Sequence, residues 1–260
     1  MEKFDRTFQD NLCQIVREAG RLLLVYFGKK HKFNHKEDGS FATEADLASE
    51  KYLIESLTKL LPISAVLAEE SGHNGEHDKD YIWVIDPLDG TNNYSYSIPY
   101  FAVSVGLVYK NEPIIGVVYN PANDELFFAQ KGKGAFLNEK KITVSDRENI
   151  YKTLVCLAIP CRNKGSLDFL DITKRVQAKI CSSIRNFGAA ALDMAYVSCG
   201  RIDVSILKNL NWWDVAAGIV LVREAGGVVC EFDKESIGPD FSTCIATNSL
   251  LVDKFKKLLI

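Results

Sequence analysis

The feature that most constrains this chain is an apolar run followed at once by two carboxylates, a glycine and a hydroxyl: Trp83-Val84-Ile85-Asp86-Pro87-Leu88-Asp89-Gly90-Thr91-Asn92. Residues 81–85 predict a buried strand, and Pro87 predicts a turn that carries Asp86 and Asp89. Two carboxylates held this close repel each other unless a cation lies between them. The following Gly90-Thr91 pair offers main-chain N–H groups at the predicted start of a helix, where anions bind. The segment therefore indicates phosphate chemistry assisted by metal ions.

The rest of the chain alternates helical and strand patterns. Apolar spacing predicts helices over residues 4–27, 44–60, 166–176, 188–199 and 213–225, and one from residue 249. Strands are predicted over residues 65–68, 101–109, 114–119, 125–129, 153–158, 202–207, 227–231 and 243–246. The polar residues 71–80 predict a loop, and Asp38-Gly39-Ser40 predicts a turn. This alternation predicts an α/β (α+β) protein with layered packing, in which residues 101–129 form an antiparallel meander.

Length and composition bound the function as well as the fold. The 260 residues are at the top of the range for one domain or suit two compact lobes, 1–150 and 151–260, with a polar boundary near 145–152. The first lobe would carry most of the candidate ligands, and the two lobes would act as one unit. The net charge is −3 and no basic block is present, which argues against nucleic acid as a partner. A weakly acidic protein that binds an anion needs positive charge from elsewhere, and bound metal ions are the natural source.

The cysteines and the apolar runs indicate the cellular compartment in which the protein is expected. Seven cysteines form an odd count without a C-x-x-C pair, which predicts reduced thiols. The first residues lack the apolar core of a signal peptide, and no run approaches the roughly 20 residues that span a bilayer. We therefore expect a cytoplasmic protein without a membrane partner.

Four further carboxylates stand at the ends of predicted strands or at the starts of predicted helices. Glu69 and Glu70 follow a short apolar strand, at the strand end where α/β proteins collect their ligands. Asp46 and Asp214 each lie three residues after a residue that favours a helix N-cap. Each acidic position also has a purely structural interpretation, either turn and loop polarity or helix capping. Both interpretations stay open from the residues alone.

The chemistry of these side chains favours magnesium. Mg²⁺ prefers oxygen ligands and binds carboxylates together with substrate phosphate, so this acidic set would suit two or three ions, with Mn²⁺ as a substitute. A zinc site is the weaker alternative, because His73 and His77 are four residues apart but Gly75 interrupts them. The sequence has neither a G-x-S-x-G elbow nor a Walker-type lysine loop. These observations favour attack by water rather than by an activated side chain.

At the level of motifs, the chain resembles the inositol monophosphatase family of metal-dependent, lithium-sensitive phosphatases. Residues 83–92 are similar to the first signature of the family, and residues 213–218 with 224–227 are similar to the second. Thr43–Asp46 and Glu69-Glu70 match in order and spacing. The resemblance covers nearly the whole chain. It implies a layered αβαβα sandwich of the sugar-phosphatase type, a homodimer, and hydrolysis of inositol 1-phosphate to inositol and phosphate.

The resemblance also implies ligands for the metal ions. One Mg²⁺ would be held by Glu69, Asp86 and the carbonyl of Leu88. A second would be held by Asp86, Asp89 and Asp214, and Glu69 would help with a third, weaker ion.

Further roles implied by the resemblance concern the attacking water and the substrate. Glu70 and Thr91 would orient the water, with Asp46 paired to Thr91. The substrate contacts would come from the N–H groups of Gly90 and Thr91 for the phosphate, the backbone of Ala190 for the alcohol, and Lys36 near the metals.

Three residues depart from the family pattern. Tyr94 replaces the usual phenylalanine and Tyr96 the frequent histidine, while the third departure concerns substrate selectivity. The animal enzymes have a glutamate that contacts inositol hydroxyls seven residues before the second-signature aspartate, and this chain has Leu207 there. Leucine cannot accept a hydrogen bond from a hydroxyl. Fructose 1,6-bisphosphate, the 2′-phosphate of NADP and adenosine 3′,5′-bisphosphate therefore stay open as substrates. A regulatory protein on the same fold that binds the transcription machinery is the non-enzymatic alternative.

Overall fold

The computed structural model describes residues 4–29, 33–35, 41–75, 79–159, 165–179 and 183–260. Its α-helices are α1 (Arg6–Tyr26), α2 (Glu44–Leu60), α3 (Thr91–Ser95), α4 (Gly165–Lys179), α5 (Ala190–Ser198), α6 (Trp212–Glu224) and α7 (Val252–Leu259). The strands before residue 145 are β1 (Phe33–His35), β2 (Phe41–Thr43), β3 (Ser64–Ala68), β4 (Gly72–Asn74), β5 (Tyr81–Asp89), β6 (Ala102–Tyr109), β7 (Glu112–Asn120), β8 (Glu125–Gln130), β9 (Gly134–Leu137) and β10 (Lys140–Ile142). The later strands are β11 (Leu154–Ala158), β12 (Ser183–Arg185), β13 (Val204–Lys208), β14 (Val228–Cys230) and β15 (Thr243–Thr247).

These elements form five layers, as the predicted αβαβα sandwich requires. Helices α1 and α2 pack together and cover one face of an eight-stranded sheet. Helices α5 and α6 lie between that sheet and a five-stranded sheet. Helices α4 and α7 cover the outer face of the second sheet. The amphipathic pattern of α1 explains its place, because its buried residues recur at helical spacing and face the sheet.

The first sheet has the strand order β10-β9-β8-β7-β6-β5-β3-β4. Strands β5 to β10 pair with one another in antiparallel order, which confirms the predicted meander. Strand β3 pairs with β5 in parallel, so the carboxyl ends of these two strands meet at one edge of the sheet. The second sheet has the order β12-β11-β13-β15-β14 and contains both parallel and antiparallel pairs.

Several strand predictions need correction, and no strand was predicted for β1, β2, β9 or β10. Residues 72–74 form β4, which pairs antiparallel with β3, although their polar character predicted a loop. Strand β5 continues to Asp89 instead of ending at residue 85, because its pairing with β6 resumes after a register shift between Asp86 and Asp89. Strand β12 had no sequence signal, since its three residues are too few to show a period. The predicted turn over residues 38–40 lies outside the described residues.

Helix α6 approaches the first sheet closely because two glycines of that sheet lack side chains. A Cβ atom added at Gly116 would lie 2.3 Å from the carbonyl oxygen of Ala217, and one at Gly106 would lie 3.1 Å from the Cβ atom of Ala216.

Among the helices of the described segments, none combines the length and hydropathy that a bilayer-spanning helix requires.

We expect Gly116→Ala to lower the free energy of unfolding by about 1–3 kcal/mol, because the added methyl group forces α6 away from β7. Urea unfolding measures this change. Gly238→Ala is the matched control, since a Cβ atom there meets nothing within 4 Å. Equal unfolding free energies for the two variants would contradict the packing described.

Candidate active site

The parallel pairing of β3 and β5 places Glu69 beside Asp86. Ala68 is opposite Ile85 in the register, and the N–H group of Glu69 donates to the carbonyl of Ile85 at 3.3 Å. The next residue on each strand is therefore an acid. Asp86 is buried, and its carboxyl group hydrogen-bonds to that of Glu69. Burial raises the pKa of Asp86 well above its ordinary value, and the charges of Glu69, Asp89 and Asp214 raise it further.

Asp89 is held by the start of α5, which belongs to the second half of the chain. The N–H group of Leu192 donates to Asp89 Oδ2 at 3.0 Å, and the N–H group of Ala190 also points at this carboxylate. Burial raises the pKa of Asp89 to about 7, although these two hydrogen bonds act in the opposite direction. Ala190 is thus placed next to Asp89, which caps this helix start in place of the N-cap residue Ala189.

Asp46 combines the two roles that the sequence left open. Its Oδ2 atom accepts the N–H group of Thr43 at 2.8 Å and also the Thr43 hydroxyl, so it caps α2. Its Oδ1 atom lies 3.4 Å from the hydroxyl oxygen of Thr91, which also lies 3.1 Å from the carbonyl oxygen of Leu88. Burial raises the pKa of Asp46 to about 7. The capping interpretation is correct, and the same carboxylate also reaches Thr91.

Glu50 is a site neighbour that the sequence analysis missed. Glu50 is buried on α2, and its Oε2 atom accepts a hydrogen bond from the N–H group of Glu70 at 2.8 Å. Asp46 and Glu50 are four residues apart, so they share one face of the helix. That spacing is the signal in the sequence that could have identified it. Two acids from α2 therefore support Thr91 and Glu70, respectively.

Asp214 lies at the start of α6 and is partly buried. Its Oδ2 atom accepts the N–H group of Asn211 at 2.6 Å, which is the predicted capping contact. Its charge also raises the pKa of Asp86, so it belongs to the same acidic neighbourhood. Here too the capping role and membership of the cluster coexist.

Gly90 sits where two helix starts approach each other. It adopts a φ of +86°, and a Cβ atom there would lie 3.0 Å from Ala189 Cβ and 3.1 Å from the carbonyl oxygen of Tyr100. Helix α3 begins directly after it, at Thr91, and no side chain caps this helix start. The starts of α3 and α5 therefore lie close to each other. Lys36 lies outside the described residues, as does His77.

The donor set is suited to hard cations. Glu69, Asp86, Asp89 and Asp214 offer only oxygen atoms, and the Leu88 carbonyl adds another. Within the described segments, no three His, Cys, Asp or Glu side chains have the spacing of a preassembled metal site. A divalent cation would instead draw together carboxylates that now repel each other, with substrate oxygens and water completing its coordination. The residues present fit such an ion.

Comparison with known proteins matches this geometry to one family. The sequence model of the inositol monophosphatase family matches residues 5–259. The chain belongs to the inositol monophosphatase family. It is 40% identical over 228 residues to an inositol-1-monophosphatase of Caulobacter vibrioides, a match that covers 86% of this chain and 89% of that protein. It is 36% identical over 259 residues to a protein of Xylella fastidiosa named Nus factor SuhB, covering 96% and 93%.

The solved structures agree with this assignment. The crystal structure of extragenic suppressor protein SuhB from Bartonella henselae superposes with a TM-score of 0.90 at 37% identity, covering 96% of this chain and 97% of that one. The chain is thus a phosphatase of the inositol monophosphatase family, whose members are generally metal-dependent and act on small phosphorylated substrates. The fold predicted from the resemblance is confirmed.

The residues that depart from the family pattern lie in different surroundings. Leu207 is fully buried on β13 among apolar side chains. Tyr94 is also fully buried, and its hydroxyl donates to the carbonyl of Leu23 at 2.6 Å. Tyr96 is exposed. An apolar, fully packed Leu207 offers no acceptor to a substrate hydroxyl.

The raised pKa values predict how the free energy of unfolding depends on pH when a chelator keeps metal ions off the protein. Asp89 and Asp46 have pKa values of about 7 when folded, against about 3.9 for an aspartate in an unfolded chain. The folded state therefore binds more protons between these values, and its stability falls as the pH rises from about 5 to 8. Urea unfolding across this range should give a smaller slope for Asp89→Asn, which lacks one of these groups. Identical slopes for the variant and the wild type would contradict this electrostatic account.

Proposed function

We propose that this protein is a Mg²⁺-dependent phosphomonoesterase that hydrolyses inositol 1-phosphate to inositol and phosphate. The observation that carries the proposal is the convergence of Glu69, Asp86, Asp89 and Asp214 beside the starts of α3 and α5. The charges of Glu69, Asp89 and Asp214 raise the pKa of the buried Asp86, which favours a bound divalent cation, while main-chain N–H groups at a helix start favour an anion. A metal phosphatase needs both next to each other.

The family resemblance supports an assignment of the metal ligands. We assign Glu69, Asp86 and the carbonyl of Leu88 to one Mg²⁺ and give Asp86, Asp89 and Asp214 to a second, with Glu69 also near a weaker third. Bound ions of this kind acidify a water molecule and neutralise the charge on phosphoryl oxygens. Mn²⁺ takes the same oxygen ligands and is the expected substitute.

Thr91, Glu70 and Asp46 would orient the attacking water. The Thr91 hydroxyl can donate its single proton to Asp46 or to the carbonyl of Leu88, and its lone pairs then face outward to accept a hydrogen bond from water. Glu70 is held by the contact of its N–H group with Glu50, which fixes where its side chain begins. No phosphorylated protein side chain is required in this scheme.

The substrate would lie across the two helix starts. We assign the N–H groups of Gly90 and Thr91 to the phosphate, the backbone of Ala190 to the alcohol, and Lys36 to the surroundings of the metals. Helix α3 is short, so its individual N–H groups carry this contact rather than a helix dipole.

The family resemblance also supports a homodimer, which light scattering after size-exclusion chromatography tests.

Replacement of Asp86 tests the metal mechanism directly. We expect Asp86→Asn to lower Mg²⁺-dependent kcat by at least about a hundredfold, because the residue would serve both ions. Steady-state release of phosphate measures this change. Asp80→Asn is the matched control, since Asp80 precedes the opposite end of β5, where its exposed carboxylate pairs with Lys110. Near wild-type turnover in Asp86→Asn would overturn the proposal.

A panel of four phosphate esters tests the choice of substrate. We expect kcat/KM to be highest for inositol 1-phosphate, and lower for fructose 1,6-bisphosphate, NADP and adenosine 3′,5′-bisphosphate. The fully buried Leu207 provides no acceptor for inositol hydroxyls, so we expect selectivity to be modest, within about tenfold among sugar phosphates. A preference well beyond tenfold for another ester would show that this ester, and not inositol 1-phosphate, is the preferred substrate. The proposed metal mechanism would be unaffected.

A second candidate function is binding to the transcription machinery, alone or beside catalysis. The similar protein of Xylella fastidiosa is named a Nus factor, and the match covers nearly the whole chain. The acidic cluster favours catalysis, because a protein that only binds a partner does not need repelling buried carboxylates. A stable complex with transcription proteins, together with no release of phosphate in Mg²⁺, would favour the binding role.

A further inference from the structure

Asp193 is a buried carboxylate whose two partners are both neutral. It is completely inaccessible to solvent, and it accepts the hydroxyl of Tyr100 at 2.6 Å and the thiol of Cys156 at 3.1 Å. None of the lysines and arginines in the described segments forms an ion pair with it. Burial raises its pKa to about 7. Burying an acid without a cation is costly, so the gain from this arrangement must lie in what the hydrogen bonds hold in place.

The three side chains join three layers of the fold. Tyr100 lies just before β6 of the first sheet, Cys156 lies on β11 of the second sheet, and Asp193 lies on α5 between them. The Tyr100 ring also packs against Phe187 at 4.9 Å and against Tyr196 at 5.6 Å between ring centroids. The cluster therefore fixes α5 relative to both sheets at one point.

The residues of α5 directly before Asp193 hold Asp89. The N–H group of Leu192 donates to Asp89 Oδ2, and that of Ala190 points at the same carboxylate. Because the N-cap residue Ala189 provides no capping side chain, the Asp89 carboxylate is the acceptor that caps α5. A small shift of α5 along its axis would therefore turn the Asp89 carboxylate.

The main chain of Tyr100 adds a second connection to the same place. Asn93 Nδ2 donates to the carbonyl of Tyr100 at 2.8 Å and to the carbonyl of Phe187 at 2.6 Å. Gly90 fits between the Tyr100 carbonyl and Ala189 only because it lacks a side chain. Tyr100 thus lies close to the starts of both α3 and α5.

We propose that Tyr100 and Asp193 are positioning residues for Asp89. Their hydrogen bond sets the position of the start of α5 along the helix axis. This position directs the Asp89 carboxylate toward a divalent cation. The inference rests on the metal-binding role given to Asp89 under the proposed function. It assigns no direct contact with substrate to Tyr100 or Asp193.

The main test is Tyr100→Phe, which removes the hydroxyl and keeps the ring contacts. The control is Tyr196→Phe on α5, where the lost hydroxyl donates to Glu125 at 2.9 Å. We expect Tyr100→Phe to weaken Mn²⁺ binding in isothermal titration calorimetry by about tenfold. Its kcat at limiting Mg²⁺ should fall similarly, and saturating Mg²⁺ should restore kcat with little change in KM. Tyr196→Phe should stay within about twofold of wild type, since the Glu125 contact lies apart from Asp89.

Replacement of Asp193 tests the same bond from the other side. Asp193→Asn keeps an oxygen acceptor for Tyr100 and should lose less affinity for Mn²⁺ than Tyr100→Phe. The double variant Tyr100→Phe with Asp193→Asn should bind Mn²⁺ within about twofold of Tyr100→Phe alone, because the bond is already lost. A purely structural role would lower the thermal midpoint while leaving the affinity for Mn²⁺ unchanged.

The outcomes separate this inference from the proposed function. If Tyr100→Phe and Tyr196→Phe bind Mn²⁺ equally well, the positioning role is wrong, whatever the phosphatase activity. If the wild type releases phosphate from no ester but Tyr100→Phe still binds Mn²⁺ about tenfold more weakly than Tyr196→Phe, the positioning role stands and the proposed function fails. A wild type that binds no Mn²⁺ overturns both.

Discussion

The parallel pairing of β3 with β5 is the contact on which the acidic site depends. It aligns Ala68 with Ile85, so that the next residues along the two strands, Glu69 and Asp86, are neighbouring acids. Their repulsion is unfavourable in the fold alone, and burial increases that cost. The surrounding sheet and α2 nevertheless hold them together. A bound cation would relieve this repulsion.

The other half of the site comes from the middle helix layer. Helix α5 directs two N–H groups at Asp89, and α6 brings Asp214 near Asp86. Both helices pack between the two sheets, and α6 comes close because Gly106 and Gly116 leave room for its backbone. Packing deep in the fold therefore decides the geometry of carboxylates at its edge. Residues remote from any substrate can change the function through these helices.

Local sequence patterns predicted the long elements and the individual acids well. The apolar period of α1 and the capping pattern of Thr43 with Asp46 correspond to the structure, because both depend on residues within a few positions. Strands β4 and β12 were missed, since three polar or mixed residues form a strand only when a partner supplies the hydrogen bonds. The continuation of β5 to Asp89 was missed for the same reason. Pro87 signals a turn locally, whereas pairing with β6 resumes beyond it.

The contacts around the site were harder to foresee than its acids. Glu50 and Asp193 are unremarkable in the sequence, and only the packing of α2 and α5 makes them partners of Glu70 and Tyr100. Roles for Asp86, Asp89 and Asp214 came from resemblance to a family, and the family itself is now established. Leu207 is buried in an apolar cluster, and its side chain has no hydrogen-bond acceptor to offer a substrate hydroxyl.

Anomalous diffraction from crystals grown with Mn²⁺ tests the central claim most directly, because it locates the ions without relying on activity. The account predicts anomalous difference peaks between Asp86 and Glu69 and between Asp86 and Asp89, with Asp214 within coordination distance of the second peak. Peaks only elsewhere on the protein, or none at a Mn²⁺ concentration that supports turnover, would contradict it.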